Sequence, residues 1–233
     1  LSATKHIRWE RRPDSRPQEL LDAALAVFAE RGYNNTRIDD VAEAAGVTKG
    51  AVYHYFATKE DLLMRAIEHY HDRAFGEIGD VLRGAGGPVS ARIRLMVRKA
   101  FGGALPGGRR VSLALVLQGV RHDLPAAHEQ WLRGGPIKGW KLLASLIEEG
   151  KAAGEFRADA DSEVAARILI SGIITQMIWQ PIAREIPELR IDEDRLIDSA
   201  VDGLLHGLCP ALIAGTATAP RRSTAKPHAK KGR

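Results

Sequence analysis

An all-α fold is predicted for this chain of 233 residues, and three observations carry the prediction. Apolar residues recur at helical spacing in nearly every segment, from Leu21, Ala24, Leu25 and Phe28 to Leu196, Ile197, Ala200, Val201, Leu204, Leu205 and Leu208. Two short helical patterns flank a Gly46-Val47 turn, the spacing of a helix-turn-helix. Glycine and proline breaks, Gly84-Ala85-Gly86-Gly87-Pro88 and Gly134-Gly135-Pro136, divide the remainder into pieces of helix length. The expected architecture is an N-terminal three-helix domain followed by a larger helical domain.

Taken in order, residues 1–16 hold Lys5, Arg8, Arg11, Arg12 and Arg16 and read as a flexible basic arm, able to meet DNA or to stay disordered. From Pro17 to Arg31 an apolar stripe predicts a first helix that Gly32 stops. Ile38, Val41, Ala42 and Ala45 give the next helix its inner face, and small Ala42, four residues before Gly46, lets the following helix approach. Thr36-x-x-Asp39 and Thr58-x-x-Asp61 read as capping boxes opening the second and fourth helices.

The third helix divides by its period. Val52, Tyr55 and Phe56 point inward, whereas Lys49 with Tyr53 and Gly50 with His54 line the outer face. Gly50 and Ala51 suit a helix that lies close against something bulky. Thr48 is placed as N-cap, and a helix start flanked by Thr48 and Lys49 suits phosphate oxygens and the acceptor edges of a major groove.

The stretch from Gly32 to Leu63 resembles the N-terminal domain of the TetR family of transcriptional regulators. Phe28, Gly32, Thr36, Ala42, Gly46, Val47, Gly50, Tyr53, Phe56, Lys59 and Glu60 fall in its pattern. The resemblance is close from about Arg16 to Leu63 and extends beyond that only as a helical layout. It implies DNA contacts from Thr36, Arg37, Thr48, Lys49, Ala51, Tyr53 and His54, and from Lys59 to phosphate. One departure stands out: the family often has histidine directly before the phenylalanine, and this chain reads His54-Tyr55-Phe56.

From Thr58 a long helix bearing Leu63, Ile67, Tyr70, Ile78 and Val81 leaves the DNA-binding unit, the natural lever between the two parts. Val89 to Phe101 is a cationic amphipathic helix with Ile93, Met96 and Val97 inward, and Val111 to Val120 is apolar nearly all round. Leu124 to Trp131 and Ile137 to Glu149 follow, with a kink or interruption expected at Pro136. In the last long pair, Ile168, Gly172 and Ile173 share a stripe with Ala165, Leu169, Gln176 and Met177, and the final helix is opened by Asp192, Glu193 and Asp194. The resemblance implies that this pair meets its copies in a homodimer, with Gly172 and Gly203 permitting close approach; the alternative is burial within one chain. Residues 17–60 are thus expected to bind DNA, 61–212 to bind ligand and dimerise, and 213–233 to form a disordered basic tail.

The formal charge of +5 comes from that tail, since Gly215 to Arg233 carries six cations and no acid and the remainder sums to −1. Residues 1–60 hold nine cations and nine acids, so DNA affinity must come from their placement. The single cysteine, Cys209, excludes an intrachain disulfide, and no uninterrupted apolar stretch reaches membrane-spanning length; a soluble, cytoplasmic protein is expected. No GxSxG, CxxC or HExxH motif is present, and no metal or cofactor is expected. Met96, Phe101, Gln118, His122, Trp131, Trp140, Met177 and Trp179 supply the bulky groups and polar handles of a small-molecule pocket, or of a plain core. The leading expectation is a homodimeric repressor of a palindromic operator, released by a small apolar or amphipathic effector. A DNA-binding protein governed by a protein partner or by abundance is the second, and an all-α enzyme the third.

Overall fold

In the computed structural model, residues 16–101, 117, 119–180, 183 and 185–209 are described. Nine α-helices are formed by these residues: α1 Arg16–Arg31, α2 Ile38–Ala44, α3 Lys49–Tyr55, α4 Lys59–Gly84, α5 Val89–Phe101, α6 Pro125–Leu132, α7 Lys138–Ala152, α8 Ser162–Trp179 and α9 Glu193–Leu208. No strand occurs among them. The arm, the tail, Gln118 and most of the apolar run from Val111 to Val120 lie outside the described residues, although Leu117 and Val120 are buried.

Two apolar cores share α4. Leu62, Leu63, Ala66 and Ile67 join Phe28, Val41, Val52 and Phe56 in the first, which also takes in Leu117, Val120 and Trp131. Ile78 joins Ile93, Met96, Leu143, Ile147, Ile173 and Val201 in the second. At about 1.5 Å per residue, the 26 residues of α4 span about 39 Å, so one rigid element connects both cores.

Helix ends follow local chemistry. Gly32 and Gly46 adopt φ of +78° and +66°, the left-handed turn that ends α1 and α2 without a Cβ clash. Thr58 Oγ1 accepts from the Asp61 N–H at 2.9 Å, the expected N-cap, but the Asp61 carboxylate accepts from the Ala57 N–H at 3.0 Å, one residue before the cap, so only half of the second expected box forms. The first shifts by one residue. Thr36 donates its hydroxyl to the Gly32 carbonyl at 2.7 Å, Arg37 becomes the N-cap, and Asp40 rather than Asp39 accepts from the Arg37 N–H at 2.7 Å.

The interruption expected at Pro136 is milder than a break. Arg133–Ile137 form a π-helical turn that passes α6 into α7, the wider turn accommodating a residue without an N–H. In the last helical pair, Ile173, Val201 and Leu208 are covered by their own chain at 1%, 0% and 3% exposure, a correction to their expected place on a dimer face. Ile168 is 69% exposed, Gly172 and Gly203 are exposed, and Leu196, Ala200 and Leu204 are half-buried. Neither Gly172 nor Gly203 has a neighbour within 4 Å of where a Cβ would stand, so no close helix approach inside the chain depends on them. No helix among the described residues is long and apolar enough to cross a membrane.

Candidate DNA-binding surface

Val52 and Phe56, 0% and 3% exposed, seat α3 in the first core. Thr48 caps it, its hydroxyl oxygen accepting from the Ala51 N–H at 3.2 Å. Lys49, Gly50, Tyr53 and His54 are exposed and Ala51 is half-buried, so the outer face expected from the period is presented to solvent. Tyr55 departs from expectation. It is 37% exposed because α3 ends there and Phe56 turns into an extended conformation, leaving the Tyr55 ring edge-on to His54 at 5.0 Å between centroids. A phenol on this surface was missed by assigning Tyr55 to the core; the end of the helix at Phe56 was the signal.

The surface is held by charge pairs. Lys49 Nζ lies 2.7 Å from Asp39 on α2, and that hydrogen bond holds its pKa above the usual lysine value. Arg31 pairs with Asp40 at 2.6 Å, while the Arg37 side chain is exposed beside them. The Asp40 carboxyl is held below the usual range, first by the Arg37 N–H and then by Arg31.

Two expected contacts are recast by the geometry. Thr36 is 2% exposed with its hydroxyl turned to Gly32, which removes its side chain from any DNA surface. Lys59 donates to the carbonyls of Tyr33 and Thr36 at 3.0 Å each, and burial lowers its pKa. Its ammonium ties the α1–α2 loop to the start of α4 and has one N–H left for a phosphate.

A second feature lies at the far side of the shared helix. A cavity of about 130 Å³ is bounded by α4, α5, α6, α7, α8 and the π turn. Met96, Phe101, Trp131 and Met177 line it as expected. His122 is exposed, Trp179 is 40% exposed, and Trp140 packs beneath the Arg167 guanidinium at 4.4 Å; none of the three lines it, and Gln118 lies outside the described residues. Tyr70, His71 and Phe75 of α4 do line it, although none of the three was among the residues expected there from the sequence. No cluster of metal-ligating side chains occurs among the described residues.

The comparisons agree with this geometry. The model of bacterial regulatory proteins, tetR family, matches residues 20–66, which span α1 to the first turns of α4. The transcriptional regulator AcuR of Cereibacter sphaeroides is 36% identical over 180 residues, covering 75% of this chain and 78% of its own. The transcriptional repressor KstR2 of Rhodococcus jostii is 29% identical over 154 residues, covering 66% and 74%. Among solved structures, the regulator FadR of Bacillus subtilis in complex with stearoyl-CoA superposes with a TM-score of 0.66 at 23% identity, covering 82% of this chain and 98% of that one. These relatives are transcriptional regulators and not enzymes, which sets aside the all-α enzyme.

Proposed function

The chain belongs to the TetR family of bacterial regulatory proteins and is a DNA-binding transcriptional regulator, and from that premise we propose a ligand-released repressor acting as a homodimer. Each subunit lays α3 in a major groove, and the pair reads the two halves of a palindrome about 34–36 Å apart or at a related spacing. The observation that carries this reading is the outer face of α3, with Lys49, Tyr53 and His54 exposed while Val52 and Phe56 fix the helix from behind. Residues 17–60 read DNA in this account, and 61–212 hold the effector and the dimer contact.

Dimerisation through α8 and α9 is supported by their uncovered apolar surface, where Ile168 and Val164 are 69% and 48% exposed. Gating by a ligand is supported by α4, which contributes Tyr70, His71 and Phe75 to the cavity and begins with Lys59 anchored beneath the DNA-binding unit. The same fold holds stearoyl-CoA in the Bacillus subtilis regulator, so this architecture accommodates a small molecule. Effector and DNA then oppose one another reciprocally, with a coupling of about 1–3 kcal/mol typical of such linkage. A regulator without a small-molecule effector draws on the modest size of the cavity, about 130 Å³. A footprint on the DNA upstream of the protein's own coding region tests the proposal: a protected palindrome supports it, and uniform cleavage with excess protein contradicts it.

A further inference from the structure

Against the second core stands a polar ring for which the described residues supply no hydrogen-bond partner. His71, on α4, is 5% exposed, and no hydrogen bond joins it to another described residue. Its imidazole lies against the Gly134-Gly135 backbone of the π turn, where a Cβ on Gly135 would stand 2.6 Å from Nε2 and one on Gly134 would collide with Nδ1. The glycine pair therefore makes room for this ring. Burial first, and Lys138 second, lower its pKa to about 4, so at neutral pH it offers one N–H donor and one acceptor nitrogen without charge.

The rest of the wall fixes what can sit beside it. Beside isoleucines from α4 and α8, Tyr70, Phe75, Phe101 and Trp131 bring aromatic rings and Met96 and Met177 bring polarizable sulfur, groups that give an aromatic guest ring and sulfur contacts which an aliphatic one lacks. No Asp, Glu, Lys or Arg stands among the described lining residues, and Lys138, whose ammonium lies 4.5 Å from the Phe75 ring centroid, is exposed outside that lining, so a charged guest would lose its hydration with no partner inside the cavity. The volume, about 130 Å³, is close to that of an engineered apolar cavity of roughly 150 Å³ that takes up benzene.

We propose that this cavity binds a small uncharged aromatic molecule of one ring bearing a single hydrogen-bonding group, which His71 holds against α4. The proposal rests on the ligand-gated reading above and names its effector class. Because the contact falls on α4, the guest engages the same helix that carries the DNA-binding unit.

Isothermal titration calorimetry of the full chain at neutral pH tests it, with phenol, benzene, cyclohexanol and benzoate as probes. Phenol should bind at one site per chain, and benzene about three- to tenfold more weakly, the ratio one buried hydrogen bond supplies. Cyclohexanol should also be weaker, and benzoate at least about tenfold weaker. His71→Phe should bring phenol down to the benzene level while benzene still binds. Gly139→Ala serves as a second variant whose fold is safe, since its Cβ would meet Ile170 Cδ1 at 3.5 Å and Phe75 Cζ at 4.0 Å, ordinary contacts; by narrowing the cavity it should weaken phenol. Absence of phenol binding at millimolar concentration, benzoate binding as well as phenol, or phenol binding unchanged in both variants would overturn the proposal. DNA release is read separately by fluorescence anisotropy. Phenol that binds in the stated pattern without altering DNA affinity upholds the ligand class and contradicts gating, whereas release by a different effector with phenol silent upholds gating and overturns the class.

Discussion

The Lys59 ammonium donates to the Tyr33 carbonyl at 3.0 Å and sits 4.2 Å from the centroid of the same residue's ring. With the Thr36 carbonyl also at 3.0 Å, one side chain at the start of α4 closes the loop between α1 and α2 and so sets the platform on which α3 rests.

Lys59→Met should therefore act on the scaffold more than on phosphate. Losing charge-assisted hydrogen bonds of this kind costs about 1–3 kcal/mol, visible as a lower urea midpoint. The salt dependence of DNA binding should stay the same. A slope reduced by about one ion with unaltered stability would instead return Lys59 to the phosphate contacts.

Lys49 is held by Asp39 in an exposed pair, with side chains 52% and 59% accessible. Such solvent-screened pairs contribute little, so Asp39→Asn should leave stability nearly unchanged while freeing Lys49 and removing an acid beside the DNA. Affinity for duplex should rise at low salt. Lys49→Ala should relax base preference by about 1–3 kcal/mol at the contacted position, measured by anisotropy on single-base operator variants. A loss equal across all sequences would make Lys49 a backbone contact.

The Gly134-Gly135 pair and His71 should be coupled. Gly134→Ala should destabilise by about 1–3 kcal/mol, because the imidazole must be displaced from a packed site. In the His71→Ala background the same change should cost far less, so a double-mutant cycle by urea denaturation should show a coupling of that order. Additive effects would mean that the ring does not require the glycines.

His71 also predicts a pH dependence. Its folded pKa, about 4, lies below the usual value of 6.5, so the folded state binds fewer protons than the unfolded one between these values. The stabilisation is thus fully present above about pH 6.5 and is lost as pH falls towards about 4, with about 2 kcal/mol gone between about pH 7 and pH 5. His71→Phe should flatten that slope in urea titrations across this range. A slope equally steep in the variant would assign the acid sensitivity to other groups.

Where sequence and structure diverge, the reason is usually one that period and spacing do not encode. Thr48 and Thr58 took their expected N-cap roles because those are settled within four residues. Thr36 did not, since its hydroxyl reached back to Gly32 and moved the cap to Arg37. Val52 and Phe56 were readable as core from their period, whereas Tyr55 depended on where α3 ended. The uncovered Ile168 and the covered Val201 belong to stripes that look alike in sequence; only the packing of α5 and α8 against α9 separates them. His71 was invisible as a cavity residue because its neighbours, Gly134 and Gly135, lie more than sixty positions away.

The central claim is that the outer face of α3 reads base edges. Selection of duplexes from a random pool by the purified protein, followed by anisotropy titration of the enriched sequence against random competitor at moderate ionic strength, tests it most directly. The account predicts an enriched inverted repeat whose preference over competitor collapses in Tyr53→Ala, while that variant's thermal unfolding stays unaltered. No enrichment over the random pool, or a preference that survives in Tyr53→Ala, would contradict it.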